Sequence, residues 1–154
     1  MVVEMTRPGV RVAGRESKLW RHVRARLERG AGDDVLYLTR VENPMNTGHP
    51  DVEYCYRGAA GVVELKQRPA WPKRPTTKVR IPHYTPQQRD DLKARYEAGG
   101  RAFILLQVAD EYLLIPMPQA LLVGRATRAE LYQLSAKRWV GKVNGRQLLK
   151  ELSK

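Results

Sequence analysis

Residues 48–66 read GHPDVEYCYRGAAGVVELK, and this stretch constrains the fold more than any other part of the chain. Two runs, Val52–Tyr56 and Val62–Gln67, flank a glycine-bearing turn at Arg57–Gly61, the pattern of a β-hairpin. Side chains alternate along a strand, so Glu64 and Lys66 share one face while Leu65 points the other way. If the strands pair through the turn, Asp51 and Glu64 converge. Two carboxylates and an ammonium then share one small site. Such hard oxygen ligands suit Mg2+ or Mn2+. A lysine beside them holds a water or offsets charge developing on a phosphate. Glu64 stands between Val63 and Leu65 in a strand that reads as buried, where an acid needs a partner or a metal ion.

Charge gives the second constraint. Lys and Arg number 28 against 16 Asp and Glu, for a net charge of +12 and a pI near 10.2. That excess attracts a polyanion, and nucleic acid is the leading partner. A membrane role is disfavoured, because no apolar run approaches the ~20 residues that a span needs. At 154 residues the prior is one domain, residues 1–154. A lone cysteine, Cys55, excludes an internal disulfide and a zinc site built from cysteines, and fits a reducing, cytoplasmic setting. Neither G-x-x-x-x-G-K-[ST] nor G-x-G-x-x-G occurs, so no nucleotide cofactor is expected. His22, His49 and His83 are scattered, which disfavours a histidine-rich metal site or a Cys-His nucleophile.

Along the chain, residues 1–14 read as a flexible basic arm. A helix is expected from Glu16 to about Arg29, with Leu19, Trp20, Val23 and Leu27 at helical spacing. Its outer face carries Arg21 and Arg24, and His22 reads as a surface residue. Asp34–Val41 reads as a strand. Residues 67–84 form a basic Pro-rich loop: Pro69, Pro72, Pro75 and Pro82 exclude helix and central strand. Arg68, Lys73, Arg74, Lys78 and Arg80 are interleaved there with Trp71, His83 and Tyr84. Cations with flat rings suit a nucleic-acid flap beside the site; the bland alternative is a solvated loop. Thr85 is placed to cap a helix that begins at Pro86 and runs to Ala98. Strands follow at Ala102–Val108 and Glu111–Ile115. A short helix is expected at 117–123, and two terminal helices from Thr127 or Arg128 to Lys137 and from Gly145 to Leu152. The order gives an α/β layer with a mixed sheet.

Gly48-His49-Pro50-Asp51, the glycines from Gly58 to Gly61, Glu64-Leu65-Lys66 and Thr85-Pro86-Gln87-Gln88 stand in the order G-x-P-D, hairpin, E-x-K, T-P-x-Q. In this the chain resembles the PD-(D/E)xK nuclease superfamily, and within it the VRR-NUC and Holliday-junction-resolvase-like branch, over roughly residues 16–115. The resemblance implies a restriction-endonuclease-like core, a central mixed β-sheet flanked by helices. It implies metal ligation by Asp51, Glu64, the main-chain carbonyl of Leu65 and the helix-borne Glu16, for which helix-dipole stabilisation is the competing role. It implies catalytic roles for Asp51, Glu64, Lys66 and Gln88, with Gln87 the rival of Gln88 by one position.

The function expected is Mg2+- or Mn2+-dependent hydrolysis of DNA, selective for branched structures, flaps or Holliday junctions. Arg21, Arg24, Arg68, Trp71, Lys73, Arg74, Lys78 and Arg80 would grip the nucleic acid. Phosphate contacts give affinity without sequence readout, and do not separate DNA from RNA. Symmetric cutting of two strands predicts a homodimer. Small size and high Arg content look like a phage or mobile-element protein acting in a host cytoplasm. Two alternatives remain open: a nucleic-acid-binding module with the nuclease fold and no turnover, and a basic assembly protein.

Overall fold

The computed structural model describes residues 2–6, 17–41 and 48–154. Among these, seven strands make one mixed sheet ordered β1-β2-β3-β4-β5-β6-β7. They are β1 (Val2–Thr6), β2 (Leu36–Arg40), β3 (Val52–Tyr56), β4 (Ala59–Arg68), β5 (Arg101–Val108), β6 (Glu111–Pro116) and β7 (Lys137–Val140). The pairs β1–β2 and β4–β5 are parallel and the others antiparallel. Helices α1 (Lys18–Ala31), α2 (Pro86–Glu97), α3 (Arg128–Leu134) and α4 (Gly145–Leu152) cover the faces.

The period-two pattern of the strands divides the core in two. Leu36, Leu38, Val52, Tyr54, Val63, Leu105 and Leu114 face α1 and α4. Val62, Ile104, Leu106, Leu113 and Ile115 face α2, α3 and a 3-10 turn at Gln119–Leu122. The strand β4 lies centrally, so its residues are covered on both faces. Glu64 and Lys66 belong to the face of Val62, beneath α2.

The hairpin turn is tighter than the sequence suggests. Tyr56 pairs with Ala59, leaving only Arg57 and Gly58 to turn the chain. Both have positive φ, 49° and 78°. A two-residue turn needs this geometry to match the strand twist, and Gly58 adopts it without steric cost. The strand β4 therefore starts three residues before the expected Val62.

Helix α1 begins two residues later than expected, where Ser17 Oγ accepts the Trp20 N–H at 3.1 Å. Its apolar stripe of Leu19, Trp20, Val23, Leu27 and Ala31 is buried. It crosses α4 backbone to backbone: a Cβ on Gly145 would overlap the Arg26 carbonyl, and one on Gly30 would overlap Gly145. His22 is not a free surface residue. Its ring stacks on Tyr112 at 4.8 Å, and its Nε2 accepts the Val143 N–H at 3.1 Å. Burial and the nearby Arg26 lower its pKa, which keeps the ring a neutral acceptor.

Three further expectations differ from the fold. Val2–Thr6 lies in an edge strand rather than in a loose arm. The expected helix to Lys137 stops at Leu134, and Lys137–Val140 pairs with β6 as a strand. Only Trp139 is buried in that four-residue strand, so it carries almost no periodic signal. The second half of the Pro-rich loop is core: Val79, Ile81 and Tyr84 are buried against α2 and β5. No helix among the described residues is long and apolar enough to cross a membrane.

Candidate functional site

The hairpin register builds the site. Val52 pairs with Val63, so one step further Asp51 stands opposite Glu64, and opposed residues of an antiparallel pair share a face. The backbone fixes Asp51 at both ends. Its carbonyl accepts Val41 N–H at 2.8 Å, and its Oδ2 accepts Leu65 N–H at 2.8 Å. His49 braces the turn before it, with Nδ1 2.8 Å from the Pro50 carbonyl and Nε2 3.0 Å from Glu53 Oε1.

Glu64 and Lys66 are 1% and 4% exposed, which makes them the only charged side chains among the buried described residues. Lys66 Nζ lies 3.0 Å from Glu64 Oε1, close enough for an ion pair yet off the line of a hydrogen bond. Both Glu64 oxygens are thus buried without a hydrogen-bond partner. Burial and then the Asp51 carboxylate raise the Glu64 pKa from 4.5 to about 8, with Lys66 opposing them. Two acids that cannot comfortably ionise together call for a cation.

Lys66 has two more oxygen partners, His83 O and Gln88 Oε1, each at 2.9 Å. The helix cap aims that glutamine. Thr85 Oγ1 accepts Gln88 N–H at 3.2 Å, and Gln88 Oε1 accepts Thr85 N–H at 3.0 Å, a capping box with Pro86 in the first turn. Gln88 rather than the exposed Gln87 therefore faces Lys66. Because Gln88 Oε1 takes two donors, its amide N–H2 is left for other acceptors.

Tyr84 completes the floor. Its ring lies under the Arg89 guanidinium at 4.0 Å and 5.9 Å from Lys66 Nζ. Arg89 is held by the carbonyls of Leu121 and Val123 at 2.7 and 2.8 Å. Burial raises the Tyr84 pKa to about 12, and its hydroxyl has no partner. Burial, Lys66 and Arg68 together lower the pKa of His83. Neither the His83 carbonyl nor Arg89 carries a sequence signal, because neither role depends on a motif.

The structure thus brings Asp51, Glu64, Leu65, Lys66 and Gln88 together. Glu16 lies outside the described residues. Arg21 and Arg24 sit on α1, which covers the opposite face of the sheet from Lys66. Arg68, Trp71, Lys73, Lys78 and Arg80 line a groove of about 400 Å³ that leaves from the end of β4; Arg74 is exposed beside it. Trp71 does not project freely. Its Nε1 donates to Glu111, which also accepts from Tyr132 and from Arg128 Nη2 at 2.9 Å, and Arg128 stacks on the indole at 4.6 Å.

Among the described residues, no group of three or more His, Cys, Asp or Glu forms a metal cluster. Mg2+ often takes only one or two carboxylates, with waters and substrate phosphates completing its octahedron. Asp51 and the unpartnered oxygens of Glu64 fit that demand.

Comparison with solved structures places this fold. The 1.6 Å structure of Hjc from Archaeoglobus fulgidus, a Holliday junction resolvase from an archaeal hyperthermophile, superposes with a TM-score of 0.52 at 12% identity, over 84% of this chain and 98% of that one. The chain has the restriction-endonuclease-like fold, a mixed sheet flanked by helices. No family model matches the sequence, and no curated protein matches it.

Proposed function

We propose that this chain is a metal-dependent endonuclease that hydrolyses phosphodiester bonds in branched DNA. One observation carries the reading: a buried acid whose oxygens accept no hydrogen bond stands beside a second acid and a lysine, in a protein of net charge +12. Stability alone does not favour such a cluster. A fold neighbour is a Holliday junction resolvase, which raises the prior for branched substrates by analogy only.

Asp51, Glu64 and the Leu65 carbonyl would hold one or two Mg2+ or Mn2+ ions. Such an ion acidifies water and stabilises charge on phosphate oxygens. The protein's own part is positional. The hairpin register holds the two acids on one face, and the hydrogen bond from Leu65 N–H aims the Asp51 carboxylate. Lys66, fixed by Glu64, Gln88 and His83, places its amino group two residues along the strand from Glu64, where a cation offsets charge developing on phosphate. The Gln88 amide donates to a water or a phosphate oxygen. The order Gly48–Asp51, glycine hairpin, Glu64–Lys66 and Thr85–Gln88 supports a place in the VRR-NUC and Holliday-junction-resolvase-like branch. A C2 dimer follows if both strands of a junction are cut symmetrically.

Purified protein, assayed on single-stranded, duplex, flap and four-way-junction DNA with Mg2+ or Mn2+, is expected to cut branched DNA. Asp51→Asn should lower the rate by at least 100-fold while leaving metal-free DNA binding intact. Binding without cutting under every condition would favour the inactive module.

A further inference from the structure

We propose that Arg68 grips one phosphate flanking the scissile one, at the mouth of the basic groove beyond the end of β4. The inference rests on the nuclease reading and names the contact that sets substrate register.

Alternation along β4 places Glu64, Lys66 and Arg68 in a row on one face, and Arg68 is about 13 Å of strand beyond Glu64. The middle cation is already committed: Lys66 Nζ has oxygens of Glu64, Gln88 and His83 within 3.0 Å. Arg68 is different. Its Nε is buried with no hydrogen-bond partner, the residue is only half-exposed, and no carboxylate among the described residues pairs with it. A guanidinium partly removed from water without a counter-ion is costly, so its anion is expected to arrive with the substrate. Its planar fork suits two phosphate oxygens at once.

The surroundings are built rather than loose. Arg68 O accepts Ala109 N–H at 3.2 Å, which pins the strand end. Beyond it the groove of about 400 Å³ is lined by Trp71, Lys73, Lys78 and Arg80. Val79 N–H donates to Ala126 O at 2.8 Å and Lys78 bridges Thr127, so the far wall is tied to the start of α3. A backbone leaving the acids along β4 meets Arg68 first and the lysines afterwards.

The test is a cycle between protein and DNA. The cut position on a four-way junction is mapped with the parent protein and Mg2+. Junctions are then made with a single neutral methylphosphonate at each of three phosphates on either side. Arg68→Gln should lower kcat/KM on all-phosphate DNA by roughly 10- to 100-fold, and Arg68→Lys should recover part of it. At one flanking position the methylphosphonate should cost the parent a similar factor and cost Arg68→Gln almost nothing more. Multiplying effects at every position, or full activity of Arg68→Gln, would overturn the proposal. If the parent cuts no DNA, the hydrolytic reading fails separately. Arg68 is then judged by metal-free binding to the same junction, where Arg68→Gln should flatten the log–log salt slope by about one; an unchanged slope overturns it.

Discussion

Glu64 concentrates the physics of the site in one side chain. Its pKa is raised in the fold from 4.5 to about 8, so between those values the folded protein holds a proton that the unfolded chain releases. The stability tied to that proton is full below about pH 4.5 and is lost as pH rises through about 8. Glu64→Gln removes this dependence. In EDTA, urea melts should show Glu64→Gln gaining stability relative to the parent as pH rises from 5 to 9. A relative loss over that range would mean that the buried carboxylate is not strained. A buried acid that weakens the apoprotein is the usual mark of a group kept for chemistry. The sequence revealed Glu64 because an acid between Val63 and Leu65 has no bland explanation. It could not reveal the His83 carbonyl or the Tyr84 ring, whose places depend on how a non-repetitive loop folds back.

At the scale of elements, the hairpin and α2 were legible and their edges were not. Alternation put Glu64 and Lys66 on one face, but the Asp51–Glu64 convergence depends on the register set by the Arg57–Gly58 turn, which required positive φ at an arginine that propensity does not announce. The Thr85 cap was readable, whereas the Gln88 half of the capping box, which decides which glutamine meets Lys66, came only with the fold. The strand β7 escaped because four residues with one buried ring look the same in any element. The basic loop is held by Trp71, Glu111, Arg128 and Tyr132, and this latch has a consequence for its order. Trp71→Phe removes the donor to Glu111, so trypsin should cut after Lys73 several-fold faster in the variant, with Mn2+ binding unchanged. Equal rates would mean that the latch does not order the loop. The α1–α4 crossing allows no side chain at its centre. Gly145→Ala should cost about 3 kcal/mol in urea unfolding, and a change below 0.5 kcal/mol would contradict the close approach.

For the whole molecule, the sign of the charge and the α/β order gave the class, and the core completed it. The two faces of one sheet are both covered, which is why β4 can bury Glu64 and Lys66 at its centre. The Arg21 and Arg24 face belongs to the other layer, so composition pointed to a polyanion without pointing to a path; the groove beyond β4 is the path we propose. The proposed chemistry turns on whether the two acids seat a divalent ion. Titration of Mn2+ into the metal-free protein, followed by the electron paramagnetic resonance of free Mn2+, measures this without requiring any DNA to be cut. At least one bound ion is expected, lost or weakened by 10-fold or more in both Asp51→Asn and Glu64→Gln. Undiminished binding in either variant would contradict it.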